Sequence, residues 1–371
     1  MILTLILYLL IPLSCMFSTW LVPRRIYVSN DIATGRYLLM MSIPILIYTA
    51  FWGLRYNVGS DYLAYVDIYN YIDFYSSYEI GFVVLVKALK FLNLPPASLF
   101  VVTSLFIVIA LSYLSKGESR SNAILLIVYS YTSTFIFFSQ NGIRQAVAFS
   151  FVLILIKQIS NKVNLYSLLL SIIPLLFHRS VVLPIVIVWL LVLFPKLKIN
   201  KWIVLICWLG SHVFGDIISQ NLMPTLWPMV NILNYDTLYE RIDEFSVYYK
   251  HRTGIGIILK SVVNLIVIYF ATDIVNKENN KTYYIFYLLF LVGLLFEPIV
   301  ETNILMRRLN LFFIFMQFVV YAYTSAYLWL YKKGYNLMYL LMILLSSIAL
   351  YIMAIISNSN NCVPYRSVLS L

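Results

Sequence analysis

Apolar residues fill this chain in long uninterrupted blocks, and polar residues gather in short stretches between them. The long blocks are 1–20, 37–54, 97–114, 121–138, 202–218, 254–272, 283–300, 309–330 and 337–357. Each comes close to the roughly 20 residues a helix needs to cross the hydrocarbon core. Shorter blocks at 80–93, 143–157, 165–177 and 180–194 read either as thin helices continued by their polar neighbours or as half-helices that enter and return. The pattern predicts an all-α polytopic membrane bundle of ten to twelve transmembrane helices. It forms a single transmembrane domain over residues 1–371, with outward-facing loops at 55–79 and 219–253. The first block has no basic segment before it, Arg24, Arg25 and Arg36 following instead, so it reads as a permanent helix and not as a cleaved signal.

Composition agrees with a life in lipid: 62% of residues are hydrophobic and 11% charged, against about 25% charged in soluble domains. Cys15, Cys207 and Cys362 lie far apart, which suggests neither a disulfide framework nor a thiolate metal site. His178, His212 and His251 lack the spacing of a zinc site. The net charge of +11 is scattered over short loops, so it reads as a topology signal and not as a nucleic-acid surface. With the 21–36 loop in the cytoplasm, alternation also brings Lys116, Arg120, Lys157, Lys162, Lys196, Lys198, Lys201, Lys277, Lys281, Lys332 and Lys333 to that side. This requires that 80–93 does not cross, or that it joins 97–114 as one unit broken at Pro95 and Pro96. The long polar stretches then face outward.

No Gly-rich phosphate loop with its Lys, no dinucleotide fingerprint and no H-E-x-x-H occurs, so ATP hydrolysis and dinucleotide chemistry are poor readings. No cofactor is expected. Synthetic chemistry on the outer face of a bacterial membrane needs a substrate that arrives already activated.

The outward stretches carry the candidate chemistry. In "RYNVGSDYLAY", Arg55 precedes Gly59 and Ser60, Asp61 stands where it can N-cap a short helix, and Tyr62 and Tyr65 follow on that helix. An aromatic membrane-edge loop with a snorkelling arginine gives the same pattern. In "SQNGIRQAVAFS", Gln140, Asn141, Arg144 and Gln145 open a run of small residues, which holds Arg144 against the bundle as a ligand-binding fork, an ion pair or a carbonyl cap. In "FHRS", His178 is able to exchange a proton near neutral pH, whereas Arg179 supplies only charge; a hairpin tip is the plainer reading. In "FEPIVETNILMRRLNLFF", Arg307 and Arg308 either offset Glu297 and Glu301 or present a cation at the bundle's outer edge. The arginines at 55, 144, 179 and 307 or 308 all emerge on one face in this topology, a set suited to a diphosphate. Asp61 and His178 are the candidate bases for an acceptor hydroxyl. Between 219 and 253, Tyr239 and Glu240 stand among tyrosines and acids that suit stacking on sugar rings and bonding to sugar hydroxyls, or else an interfacial amphipathic helix.

Taken in order, Arg55 to Tyr65, "YEIGF" at 78–82, "SQNGIRQAVA" at 139–148, "FHRSVVLP" at 177–184, the arginine pair at 307–308 and "VPYR" at 363–366 resemble the EpsG-like branch of the Wzy-type polysaccharide polymerases. The resemblance implies a bacterial inner-membrane protein that joins undecaprenyl-diphosphate-linked oligosaccharide repeats on the periplasmic side, lengthening an O antigen, a capsule or an exopolysaccharide. It places the family's arginine and Asp-Tyr loop on Arg55, Asp61 and Tyr62, its helix start on Arg144 and Gln145, and its histidine turn on His178. The family often has Ser or Thr directly after that histidine; here Arg179 intervenes before Ser180. The expected partners are the lipid-linked oligosaccharide, membrane lipid, a chain-length regulator and a flippase, with no nucleic acid. A flippase of the same lipid-linked unit and an O-antigen ligase are the rival readings. A flippase more often shows two related halves, which this chain lacks.

Overall fold

The computed structural model describes residues 2–23, 34–75, 78–194, 196–232, 254–301, 303–331 and 334–370, without the side chains of 222–232, 304–305 and 370. The expected repeat-unit readers Tyr239 and Glu240, and the topology residues Arg24, Arg25, Lys332 and Lys333, lie outside these residues. Everything regular among the described residues is helical. Candidate spans are Ile2–Leu21, Ala97–Leu114, Ile143–Asn161, Lys201–Asn221, Ile255–Lys277, Lys281–Val300, Met306–Leu330 and Gly334–Ile356. The pair Thr34–Met40 and Ser42–Gly53, bent by 67°, brings the total to at most 9. The chain is therefore a multi-pass membrane bundle, and its described residues hold fewer candidate crossings than the ten to twelve the apolar blocks predict.

The shortfall has physical causes. The block 121–138 breaks into Arg120–Thr132 and Thr134–Ser139 because Ser133 takes an extended conformation (φ −81°, ψ 159°). The hydroxyls of Ser130, Thr132 and Ser133 bond backwards to the carbonyls of Ile127, Val128 and Ser130, competing with the helical ladder. Conversely, 143–157 grows into a full span to Asn161. Its Lys157 is buried and donates to the carbonyls of Leu114 and Lys116, at the C-terminal end of Ala97–Leu114, where a cation meets exposed carbonyls and a negative helix pole. Hydropathy reads that lysine as the end of a crossing. The blocks at 165–177 and 180–194 give helices too short to span. The block 80–93 gives the 12-residue helix Ile80–Phe91, about 18 Å long at 1.5 Å per residue, followed by Asn93 at φ 54° and a new helix after Pro96.

The fold divides into two compact units, Met1–His178 with Leu328–Leu371, and Arg179–Tyr327. In the first, α1 (Ile2–Leu21) packs on α3 (Ser42–Gly53), which follows the bent α2 (Thr34–Met40). Short α4 (Tyr62–Asn70) and α5 (Ile80–Phe91) lead to α6 (Ala97–Leu114), packed on α3, then α7 (Arg120–Thr132), packed on α1, and α8 (Thr134–Ser139). Next come α9 (Ile143–Asn161), packed on α6, and α10 (Leu165–Ile172); α17 (Gly334–Ile356) returns to this unit. Tyr8 is a hub, fully buried with ring centroids 5.3 Å from Trp52, 5.6 Å from Phe51 and 5.7 Å from Phe137. Its hydroxyl donates to the Cys362 carbonyl at 2.5 Å.

The second unit comprises α11 (Val182–Leu193), α12 (Lys201–Ile232), α13 (Ile255–Lys277), α14 (Lys281–Val300), α15 (Ile304–Ile314) and most of α16 (Gln317–Leu330). α14 packs against α11, α12, α13 and α15. Buried amides and hydroxyls tie these helices: Asn310 Nδ2 donates to the Gly293 carbonyl at 2.9 Å, Tyr321 to Asn264 Oδ1 at 2.6 Å, and Thr272 shares a bond with Tyr287.

Candidate functional site

The loop between α3 and α4 is built as one strand of a clasp. The C-terminal segment runs antiparallel to it, with Arg55 bridged to Ser367. Val368 N–H donates to the Leu54 carbonyl at 2.8 Å, Tyr56 to Arg366 at 2.9 Å, Gly59 to Asn361 at 2.9 Å and Ser60 to Asn360 at 3.2 Å. Tyr365, from the "VPYR" stretch, stacks on Phe51 at 4.1 Å and donates to its carbonyl at 2.6 Å. Gly59 sits at φ 99°, and a Cβ there would lie 2.8 Å from Asn141 Oδ1, so the turn requires glycine.

Arg55 is 1% exposed. Its guanidinium donates to the carbonyls of Trp52 (2.7 Å), Gln140 (3.0 Å) and Val58 (3.2 Å) and lies 4.4 Å from the Phe100 ring centre. Burial lowers its pKa to about 10. The planar fork is thus spent on closing the α3–α4 turn against the α8–α9 turn. Gln140 is equally buried; its amide nitrogen donates to Ile136 and to Ser139. Asp61 stands at the start of α4, as the sequence predicts, but its side chain caps nothing. Its backbone N–H instead goes to Asn141 Oδ1 at 3.1 Å, which also accepts from Ser60 Oγ at 3.0 Å. Asn141 Nδ2 donates to Phe137 and Asn360 carbonyls, so one amide joins loop, helix and tail. Tyr62 stacks on Phe100 at 4.6 Å.

A constellation of ionisable groups in the first unit centres on Glu79, a residue that sequence reasoning did not single out. It stands directly before α5, at the head of the "YEIGF" stretch, and its side chain is 9% exposed. Arg144, in the first turn of α9, donates from Nη1 to Glu79 Oε2. His178, just past the 3-10 turn Ile173–Leu176, brings Nδ1 to 3.4 Å from the other oxygen, Oε1. What draws α5 onto that turn is visible at Gly81, where a Cβ would stand 2.7 Å from the Leu176 carbonyl oxygen. Only glycine admits the approach that sets Glu79 beside His178.

Buried Tyr65 feels the charge of Arg144, and the Tyr78 ring centre lies 4.3 Å from the guanidinium. Burial alone pushes the Glu79 carboxyl up. The His178 contact and the charge of Arg144 outweigh it and hold the group at about 2. The Tyr65 phenol is raised by burial, against the opposing pull of Arg144. Gln145 is buried beside Arg144 in sequence. A carboxylate 3.4 Å from Nδ1 favours the protonated form of that imidazole.

Of the residues the sequence nominates, the structure gathers Tyr65, Arg144 and His178 around Glu79. Arg55, Tyr62, Gln140 and Asn141 join in the neighbouring clasp. Arg179, exposed at the start of a 3-10 turn, half-buried Arg307 and exposed Arg308 belong to the second unit.

A sequence model of the EpsG family matches residues 38–367, a range that takes in the clasp, Glu79, Arg144 and His178. No curated protein and no solved structure matches the chain.

Proposed function

The chain belongs to the EpsG family, whose membership carries a role in polysaccharide biosynthesis, and from that premise we propose that it is a polysaccharide polymerase of the O-antigen, capsule or exopolysaccharide type. It acts in the bacterial inner membrane, where its bundle is of the GT-C-like kind, on polyprenyl-diphosphate-linked oligosaccharides presented at the outer face. In this reaction the acceptor hydroxyl oxygen bonds to the anomeric carbon of the donor glycan. The bond from that carbon to the diphosphate oxygen breaks, the diphosphate leaves with the electron pair, and the hydroxyl proton passes to the protein. Arg144 supplies charge and paired donors to the leaving diphosphate. His178, with its Nδ1 turned to Glu79, accepts the proton at Nε2. Arg55 and Asn141 hold the loop that carries Asp61.

The observation that carries this reading is the Glu79 carboxylate shared between Arg144 and His178, which sets an anion-binding cation and a proton acceptor on one bridging group. A flippase needs the cation but no base.

The test uses a deletion strain complemented with wild type, Arg144→Lys or His178→Ala, with glycan length read on gels and joining of purified lipid-linked repeats read in vitro. A core bearing single repeat units in the deletion strain and in both variants supports the polymerase. Complete loss of surface repeats points to a flippase or ligase, and long chains from well-expressed variants return Arg144 and His178 to structural roles.

A further inference from the structure

The clasp between the α3–α4 loop and the C-terminal segment has two faces of opposite character. Arg55 and Val58 of the loop and Cys362 of the tail are buried beneath it. Tyr56 and Asn57 of the loop, with Asn360, Asn361 and Arg366 of the tail, remain exposed. Asn57, Asn360 and Asn361 stand in the left-handed backbone region, at φ 49°, 59° and 54°. That conformation is unfavourable for most side chains and free for glycine. A turn that needs only the shape is served by glycine, as at Gly59 with φ 99°. Asparagine is among the side chains that tolerate the region best, and it adds a planar amide.

One asparagine of the tail spends its amide on the turn itself: Asn358 Oδ1 accepts the Val363 N–H at 2.7 Å. The side chains of Asn57, Asn360, Asn361 and Arg366 make no hydrogen bond among the described residues. The tail backbone that carries them is nevertheless fixed. The Asn360 carbonyl accepts from Ser60 N–H at 3.2 Å and from Asn141 Nδ2 at 3.1 Å. The carbonyls of Asn361 and Arg366 accept from Gly59 and Tyr56 N–H, each at 2.9 Å. Rigid backbone therefore presents polar side chains whose bonding capacity is unspent, an arrangement that suits recognition better than folding.

We infer that the open face of the clasp is a glycan-binding surface, on which Asn57, Asn360, Asn361 and Arg366 hold hydroxyls of the lipid-linked oligosaccharide. This rests on the polymerase reading above and names the part of the substrate that the clasp serves. An amide donates and accepts, and a guanidinium donates through a planar fork, so the four bond sugar hydroxyls in either sense. Tyr56, 38% exposed, adds a ring that stacks on the apolar face of a sugar. The face runs from Arg366 opposite Tyr56 to Asn360 opposite Ser60, and Asp61 follows directly. Four residues of extended chain reach at most about 13 Å, enough to contact more than one sugar ring.

The test combines Asn57→Gly, Asn360→Gly and Asn361→Gly in the purified full chain. Glycine keeps each left-handed turn and removes the amide, so the thermal midpoint should stay near that of wild type. Joining of purified lipid-linked repeats gives KM and kcat. Saturation-transfer NMR reads binding of the same oligosaccharide released from its lipid. Loss of several ordinary hydrogen bonds should raise KM about tenfold while kcat holds, and weaken the transfer signal. A merely structural defect would lower kcat through loss of folded protein and leave KM alone. Wild-type KM and transfer in the variant would overturn the surface and leave the polymerase reading standing. A wild type that binds the oligosaccharide through these amides but joins nothing would refute the polymerase and keep the surface.

Discussion

The side-chain oxygen of Asn141 accepts the backbone N–H of Asp61 at 3.1 Å, although the two residues lie 80 positions apart. The same oxygen takes Ser60 Oγ, and the amide nitrogen serves the carbonyls of Phe137 and Asn360. Asn141→Ala strips all of these at once, and each buried polar group left without a partner costs about 1–3 kcal/mol. Gly59→Ala attacks the same junction from the other side, since its methyl group meets Asn141 Oδ1 in a backbone conformation that alanine avoids. Both substitutions should lower the thermal midpoint of the detergent-solubilised protein and slow repeat joining. Unchanged midpoints in both would show that the loop is held by something other than this amide.

Arg55 should behave as a structural residue. Its donors reach the carbonyls of Trp52, Val58 and Gln140, and Arg55→Lys keeps the charge but cannot span all of them. Hydrogen bonds to a charged group are each worth about 1.5–3 kcal/mol, and one ammonium cannot keep all of these carbonyls, so Arg55→Lys should denature at clearly lower denaturant than wild type. A stable Arg55→Lys protein that binds pyrophosphate poorly would instead make Arg55 part of the phosphate site.

What was legible in the sequence divides along the range of the interactions. Apolar length placed most of the spans, because crossing a bilayer is a local property of one segment. The error at 121–138 and the reading left open at 143–157 both came from polar residues whose meaning depends on neighbours. Back-bonding hydroxyls break one block, and Lys157 extends the other only because the carbonyls of Leu114 and Lys116 wait for it. The site follows the same division. Arg144 and His178 stood out as costly residues among apolar ones, but their common partner Glu79 lies 65 positions from Arg144, in a stretch noticed only for its likeness to a family. The available signal was one of accounting: a half-buried arginine and a half-buried histidine at the membrane edge both call for an anion, and Glu79 is the acid placed directly before an apolar helix. Arg55 is the opposite case: two of its donors go to the nearby carbonyls of Trp52 and Val58, and nothing local reveals the third, which reaches Gln140 85 positions away.

The orientation inferred from Lys and Arg predicts accessibility. In a background with Cys15, Cys207 and Cys362 replaced, a cysteine at exposed Tyr71 should react with an impermeant thiol reagent added outside the inner membrane, and one at exposed Lys198 should not. Reversed labelling would put the Glu79 site on the cytoplasmic side and remove the need for a pre-activated, lipid-linked donor.

The pH dependence separates the carboxylate from the imidazole. Glu79 is held at about 2, below the value of about 4.3 it has in an unfolded chain. Its contribution to stability is therefore complete above the unfolded value and lost only as pH falls through about 2. Between pH 8 and 5 Glu79 stays ionised and the fold should hold, as circular dichroism would report. A fall in joining rate across that window is then protonation of the imidazole, the side chain that ordinarily titrates there. Replacing Glu79 by Gln removes the anion at Nδ1 and disfavours the imidazolium, so the acid limb of kcat/KM should move to lower pH while the maximal rate drops. An acid limb at the same pH in wild type and Glu79→Gln would show that the titrating group is not in contact with Glu79, and would direct the search for the base to Asp61.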